Sequence, residues 1–169
     1  MAKHAVIRTD LMTGTTDGAF LRSLRYMGTG SAEAEIDNGN IVKLVSLMDG
    51  SREVWKAVAP AKDTPVADLA IVATPEVLYD ERKRNLSEFV NEAGANARGY
   101  LLHTNNIFSV TAEALDAAAD IAVEDVVELQ ADSTKMKVVK TATSATTTIG
   151  KVISIENTGR YTYYAIKIA

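Results

Sequence analysis

Tight-turn dipeptides recur along this chain and cut it into short runs of strand-forming residues. Asn38-Gly39 and Asp49-Gly50 stand between apolar runs, and Asn157-Thr158-Gly159 does the same near the end. Asn, Asp and Gly tolerate positive φ, so each pair favours a reversal over a continuing helix. The runs between them have strand character. Residues 36–47 (IDNGNIVKLVSL) turn once and continue, and in residues 52–58 (REVWKAV) Val54, Lys56 and Val58 alternate with Glu53, Trp55 and Ala57. Residues 66–74 (VADLAIVAT), mostly apolar and stopped by Pro75, predict a buried strand. Residues 100–102 and 107–111 read as another pair of strands around Asn105-Asn106. Residues 126–129 and 136–139 flank Ala131-Asp132-Ser133-Thr134 as in a hairpin. In the last run Tyr164, Ile166 and Ile168 share a face with period two.

A few segments break this rhythm. In residues 81–94, Leu86, Phe89, Val90 and Ala93 are spaced as on a helix that Gly94 would end. Residues 112–122 are rich in alanine yet flanked by strand formers, and stay open between helix and strand. The Thr-rich residues 141–150 (TATSATTTIG) suit an exposed loop or an edge strand. The sum is about eight to ten short strands. The expected fold is mainly β, a compact β-barrel or sandwich of short antiparallel strands with one or two short helices and an extended N-terminal arm.

The arm is residues 1–31, and the β-rich body is residues 32–169. In the arm Lys3, Arg8, Arg22 and Arg25 outnumber Asp10 and Asp17, so the acidic surplus behind the net charge of −4 lies in the body. Residues 9–18 (TDLMTGTTDG) have the composition of turns and extended chain. Residues 20–27 (FLRSLRYM) place Phe20, Leu21, Leu24 and Met27 at helix-like spacing, with Arg22 and Arg25 between them, followed by a Gly28-Thr29-Gly30-Ser31 hinge. The segment reads either as a strand and loop wrapping its own domain or as an arm that orders on a partner.

Composition narrows the chemistry. At 47% apolar and 24% charged, the chain has the make-up of a soluble globular domain, with no apolar run of transmembrane length. Charge interrupts the opening MAKHAVIR before an apolar segment forms, which argues against a secretory leader and for synthesis and residence in the cytoplasm. Zero cysteines exclude disulfides and thiolate chemistry. His4 and His103 have no metal-ligand spacing, no serine sits in a nucleophile elbow, and Gly28-Thr29-Gly30 lacks the remaining glycine of a phosphate loop. Asp116, Asp120, Glu124, Asp125 and Glu128 lack the order of a calcium loop. The basic run Arg82-Lys83-Arg84 is neutralised by Asp80, Glu81 and Glu88, and the net acidity disfavours nucleic acid and anionic membrane as partners. No catalytic residue, cofactor or metal is expected.

Six segments in order carry a resemblance: NGNIVKL (residues 38–44), DGSREVWKAVAP (49–60), TPEVLYDER (74–82), FVNEAGANARGYLLH (89–103), NNIFSVT (105–111) and IGKVISIENTG (149–159). Together they resemble auxiliary head proteins of tailed bacteriophages, which act as capsid decoration or cement proteins or as bases for head fibres. Where similar sequences carry Gly-Asp before the Phe-Ser-Val strand, this chain has Asn105-Asn106. The resemblance implies a non-enzymatic virion protein on the capsid exterior. Its partner would be the major capsid protein, with further copies of itself or a head fibre as additional partners. The expected capsid-binding residues are Phe20, Leu21, Leu24, Tyr26 and Met27 as apolar anchors, with Arg22 and Arg25 facing acidic groups of the shell. Rival expectations are a tail or head-tail connector component, and a carbohydrate- or receptor-binding module using Trp55, Tyr161, Tyr163 and Tyr164.

Overall fold

The computed structural model describes residues 4–10, 12, 17–80, 82–83, 85–117 and 120–169. The strands are β1 (Ile7–Arg8), β2 (Leu21–Tyr26), β3 (Ile41–Leu47), β4 (Val54–Val58), β5 (Leu69–Val72) and β6 (Ala97–Leu101). They continue as β7 (Ile107–Thr111), β8 (Leu115–Ala117), β9 (Val126–Glu128), β10 (Met136–Val139), β11 (Thr148–Asn157) and β12 (Thr162–Ile168). Five of them close into a barrel in the order β2-β4-β3-β5-β6, and the other seven form a sheet in the order β1-β7-β12-β11-β9-β10-β8. The fold is mainly β, and the helical elements among the described residues are short 3-10 turns.

The two layers share β5 as a wall. Leu69 and Ile71 face the core formed with the large sheet, while Ala70 and Val72 face the barrel interior. Burial on both sides explains why this strand is apolar at every position rather than alternating. In β3, Ile41 and Val42 divide between the same two cores. The barrel is narrow. Ala57, Ala70 and Ala97 line it with Val42 and Val72, and Leu24 fills the space that they leave. Gly99 is part of this fit, since a Cβ there would stand 2.5 Å from Leu24 Cδ2.

Residues 20–27 are therefore not an amphipathic helical turn. Residues 21–26 form β2, which runs parallel to β4 with Leu24 opposite Trp55 and antiparallel to β6 with Leu24 opposite Ala97. Pairing on both edges overrides the helix-like spacing. β1 pairs with β7 in the other sheet, so the stretch read as an arm contributes a strand to each layer. The expected hinge is a 3-10 turn, Thr29–Ser31, closed by a bridge between Met27 and Glu33.

Among the described residues of 81–94 the expected helix does not form. Residues 81 and 84 lie outside the described residues, Leu86–Glu88 form a 3-10 turn, and the chain then extends to Asn91, which bridges Ile36. Residues 112–122 resolve into a 3-10 turn, Ala112–Ala114, and strand β8, with residues 118 and 119 outside the described residues. β6 and β7 do not pair with each other but belong to different layers. The Thr-rich tract is an exposed loop as far as residue 147, and the strand that begins at Thr148 lies between β12 and β9 rather than at an edge. Buried Glu128 holds that loop, its carboxylate accepting from Thr143 N–H at 3.0 Å and Thr143 Oγ1 at 2.7 Å.

Candidate functional site

The expected anchors are mostly occupied within the fold. Leu24 is fully buried, and Tyr26 packs on the barrel core. Phe20 lies with its ring centroid 3.9 Å from that of His103. Arg22 donates to the carbonyls of Ala19 and Leu21 at 2.8 Å each. Arg25 binds Glu33 at 2.8 Å and Asn96 Oδ1 at 3.0 Å. Met27 is tied through its backbone to Ala57 and Glu33. Leu21, 37% exposed, is the anchor that presents most of itself to solvent. Of the aromatic residues of the glycan expectation, Tyr161 is half-buried, its ring centroid 6.0 Å from that of Tyr163 and its hydroxyl 3.5 Å from Ser87 Oγ. Trp55 packs on the barrel core and Tyr164 on the other core, while Tyr163 is buried beneath Arg8, whose guanidinium lies 5.5 Å from its ring. Burial pushes the Tyr163 phenol up from its ordinary pKa.

A groove of about 520 Å³ opens elsewhere, between two extended segments. Thr74, Val77, Leu78, Tyr79 and Asp80 make one wall; Phe89, Val90, Asn91 and Glu92 make the other. Neither wall is a regular strand. Their positions are set from beneath by Asn38, which is fully buried at the turn before β3. Its Nδ2 donates to the Thr74 carbonyl at 2.8 Å and to Glu76 Oε1 at 3.1 Å. Its Oδ1 accepts from Thr74 N–H at 3.0 Å and from Asn91 Nδ2 at 3.2 Å. The side chain thereby meets its full bonding capacity, which is what makes a buried asparagine tolerable and this hub rigid. Asn91 Nδ2 also reaches the Ile36 carbonyl at 3.0 Å.

Apolar side chains stand at the rim. Tyr79 is 94% exposed and Val77 55%. Charge around the groove is mainly negative: Asp80, Glu88 and Glu92 line it with Lys83. Hydrogen bonds from Arg82 hold the Asp80 carboxyl below the usual carboxylate range. Burial raises the Glu76 carboxyl above its ordinary value, against the opposing hydrogen bonds from Asn38 and its own amide.

The second wall is an edge. Asn91 uses its N–H and carbonyl on Ile36, at 3.0 and 2.9 Å. Successive amides of an extended chain point to opposite edges, so those of Val90 and Glu92 lie on the side away from Ile36. Among the described residues, the amides of Val90, Glu92, Leu78 and Tyr79 have no hydrogen-bond partner. Aperiodic segments such as these give no pattern in sequence. The available signal was Val77, Leu78 and Tyr79 following Pro75 where a loop composition would be polar.

Among the described residues, no group of three or more His, Asp or Glu side chains converges as metal ligands, and no helix is long and apolar enough to cross a membrane. Comparison of the chain with protein-family models, curated proteins and solved structures finds no match.

Proposed function

We propose that this chain is a non-enzymatic virion structural protein that binds the outer surface of a major capsid shell and stabilises it. The observation that carries the reading is the apolar rim of the groove, where Tyr79 and Val77 face solvent on a segment tied at Thr74 and Glu76 to the buried Asn38. Apolar side chains held out on ordered backbone fit an intermolecular contact, and an exposed tyrosine is a residue type enriched among the anchors of such contacts. The ordered resemblance to phage auxiliary head proteins supplies the partner class. Many copies on a symmetric shell multiply a modest single-site affinity, so no very tight single contact is required.

The groove replaces residues 20–27 as the proposed contact surface, because Leu24 is a core residue and the two arginines are engaged within the chain. Co-sedimentation with undecorated capsid shells tests the reading. The full chain is expected to bind saturably, and Tyr79→Ser combined with Val77→Ser to weaken binding by about tenfold, as for loss of a central aromatic anchor. Absence of saturable binding by the unmodified chain would overturn it.

A further inference from the structure

We propose that the groove takes an extended segment of its protein partner as an added β-strand along residues 90–92, and that this segment carries lysine or arginine beside an apolar residue. The proposal rests on the shell-binding reading for the partner's identity, but not for its chemistry. Three features of the groove converge on it.

The first is the free edge. Asn91 is bridged to Ile36 on one side, and the Val90 and Glu92 amides on the other are unpartnered among the described residues, while the Glu92 carbonyl accepts from Ala95 N–H at 3.0 Å and ends the edge there. An extended peptide satisfies such an edge with main-chain hydrogen bonds whatever its sequence. The second is the apolar lining. Val77, Leu78, Phe89 and Val90 border the cavity, so an alternate side chain of the added strand has a place to be buried. The third is charge. Asp80, Glu88 and Glu92 stand around the opening with Lys83 and with Arg82, which pairs with Asp80 at 3.1 Å, so three carboxylates face two cations and favour a cationic segment over an anionic one. A second copy of this chain is the less suitable occupant, since its net charge of −4 has the same sign as the groove.

The test uses the full chain, labelled for NMR, and synthetic peptides as probes. Acetyl-Lys-Val-Thr-Val-Lys-amide is expected to shift the amides of residues 77–80 and 89–93. The glutamate-flanked counterpart should bind about tenfold more weakly because it meets like charge. N-methylation of alternate peptide amides should cost about as much by removing main-chain bonds. Glu92→Lys, at an exposed position, should narrow or reverse the charge preference without unfolding the chain. Shifts elsewhere, equal binding of the charged peptides, indifference to N-methylation, or peptide-independent self-association through the groove would each overturn the proposal. Shell co-sedimentation separates the two claims. Shells that bind unmodified chain and Glu92→Lys equally well leave the decoration reading standing and remove this one; peptide binding without shell binding does the reverse.

Discussion

Strand β2 and the groove walls both carry apolar residues at helix-like spacing, and they end in opposite situations. In residues 20–27 the spacing belongs to a strand paired on both edges, with Leu24 sealed in a barrel lined by alanine and valine. In residues 86–93 the same spacing belongs to a turn and an extended segment with one edge paired, and its neighbour Tyr79 stands in solvent. Apolar spacing alone therefore does not decide what is core and what is surface. The deciding quantity is how many backbone edges find a partner, because pairing fixes which face turns inward.

The contrast is sharpest at Leu24. Leu24→Ala removes the largest wholly buried side chain of the barrel interior and should cost about 2–5 kcal/mol, read from urea unfolding. A cost near zero would mean that β2 detaches like an arm. Asn38→Ala comes next. It strips both groove walls of their shared partner and should cost about 1–3 kcal/mol, chiefly because half-buried backbone groups of Thr74 and the buried Asn91 amide lose their partner. The same variant should speed amide exchange in residues 74–80 but not in residues 21–26.

A smaller effect is expected at Glu76, whose carboxyl is raised above its ordinary value of 4.5 by burial. A carboxyl with a raised folded pKa binds its proton more tightly when folded. Its ionised form therefore costs stability, increasingly as pH rises from 4.5 through the folded value. Glu76→Gln keeps an oxygen for Asn38 and should melt above the unmodified chain at pH 7, with the gap closing as pH falls towards 4.5. A gap that widens on acidification would show that the carboxylate is favourably held instead. The smallest change in stability belongs to Tyr79→Ser, within about 0.5 kcal/mol, since the side chain is 94% exposed. A larger loss would place Tyr79 in the fold rather than at an interface.

The same edge argument explains what the sequence made legible. The β9–β10 and β11–β12 hairpins pair residues close in the chain, and Ile166 and Ile168 turn inward as their period of two predicts. β5 is buried at every position, in keeping with the buried strand that its mostly apolar run predicts. Long-range pairing left no local mark. The parallel pairs β2–β4 and β8–β10 join segments separated by a turn-rich stretch, and β6 and β7 part into different layers although a plausible turn lies between them. The groove was hidden for a related reason. Its walls are positioned by the buried amides of Asn38 and Asn91, of which the first reads in sequence as an ordinary turn residue and the second falls inside an apparent helix.

Hydrogen exchange on the free protein and on protein bound to capsid shells tests the account most directly. Residues 21–26 should exchange slowly in both states, while the amides of Leu78, Tyr79, Val90 and Glu92 should exchange quickly in the free protein and slow on the shell. Binding that protects residues 20–27 and leaves the groove unchanged would contradict it.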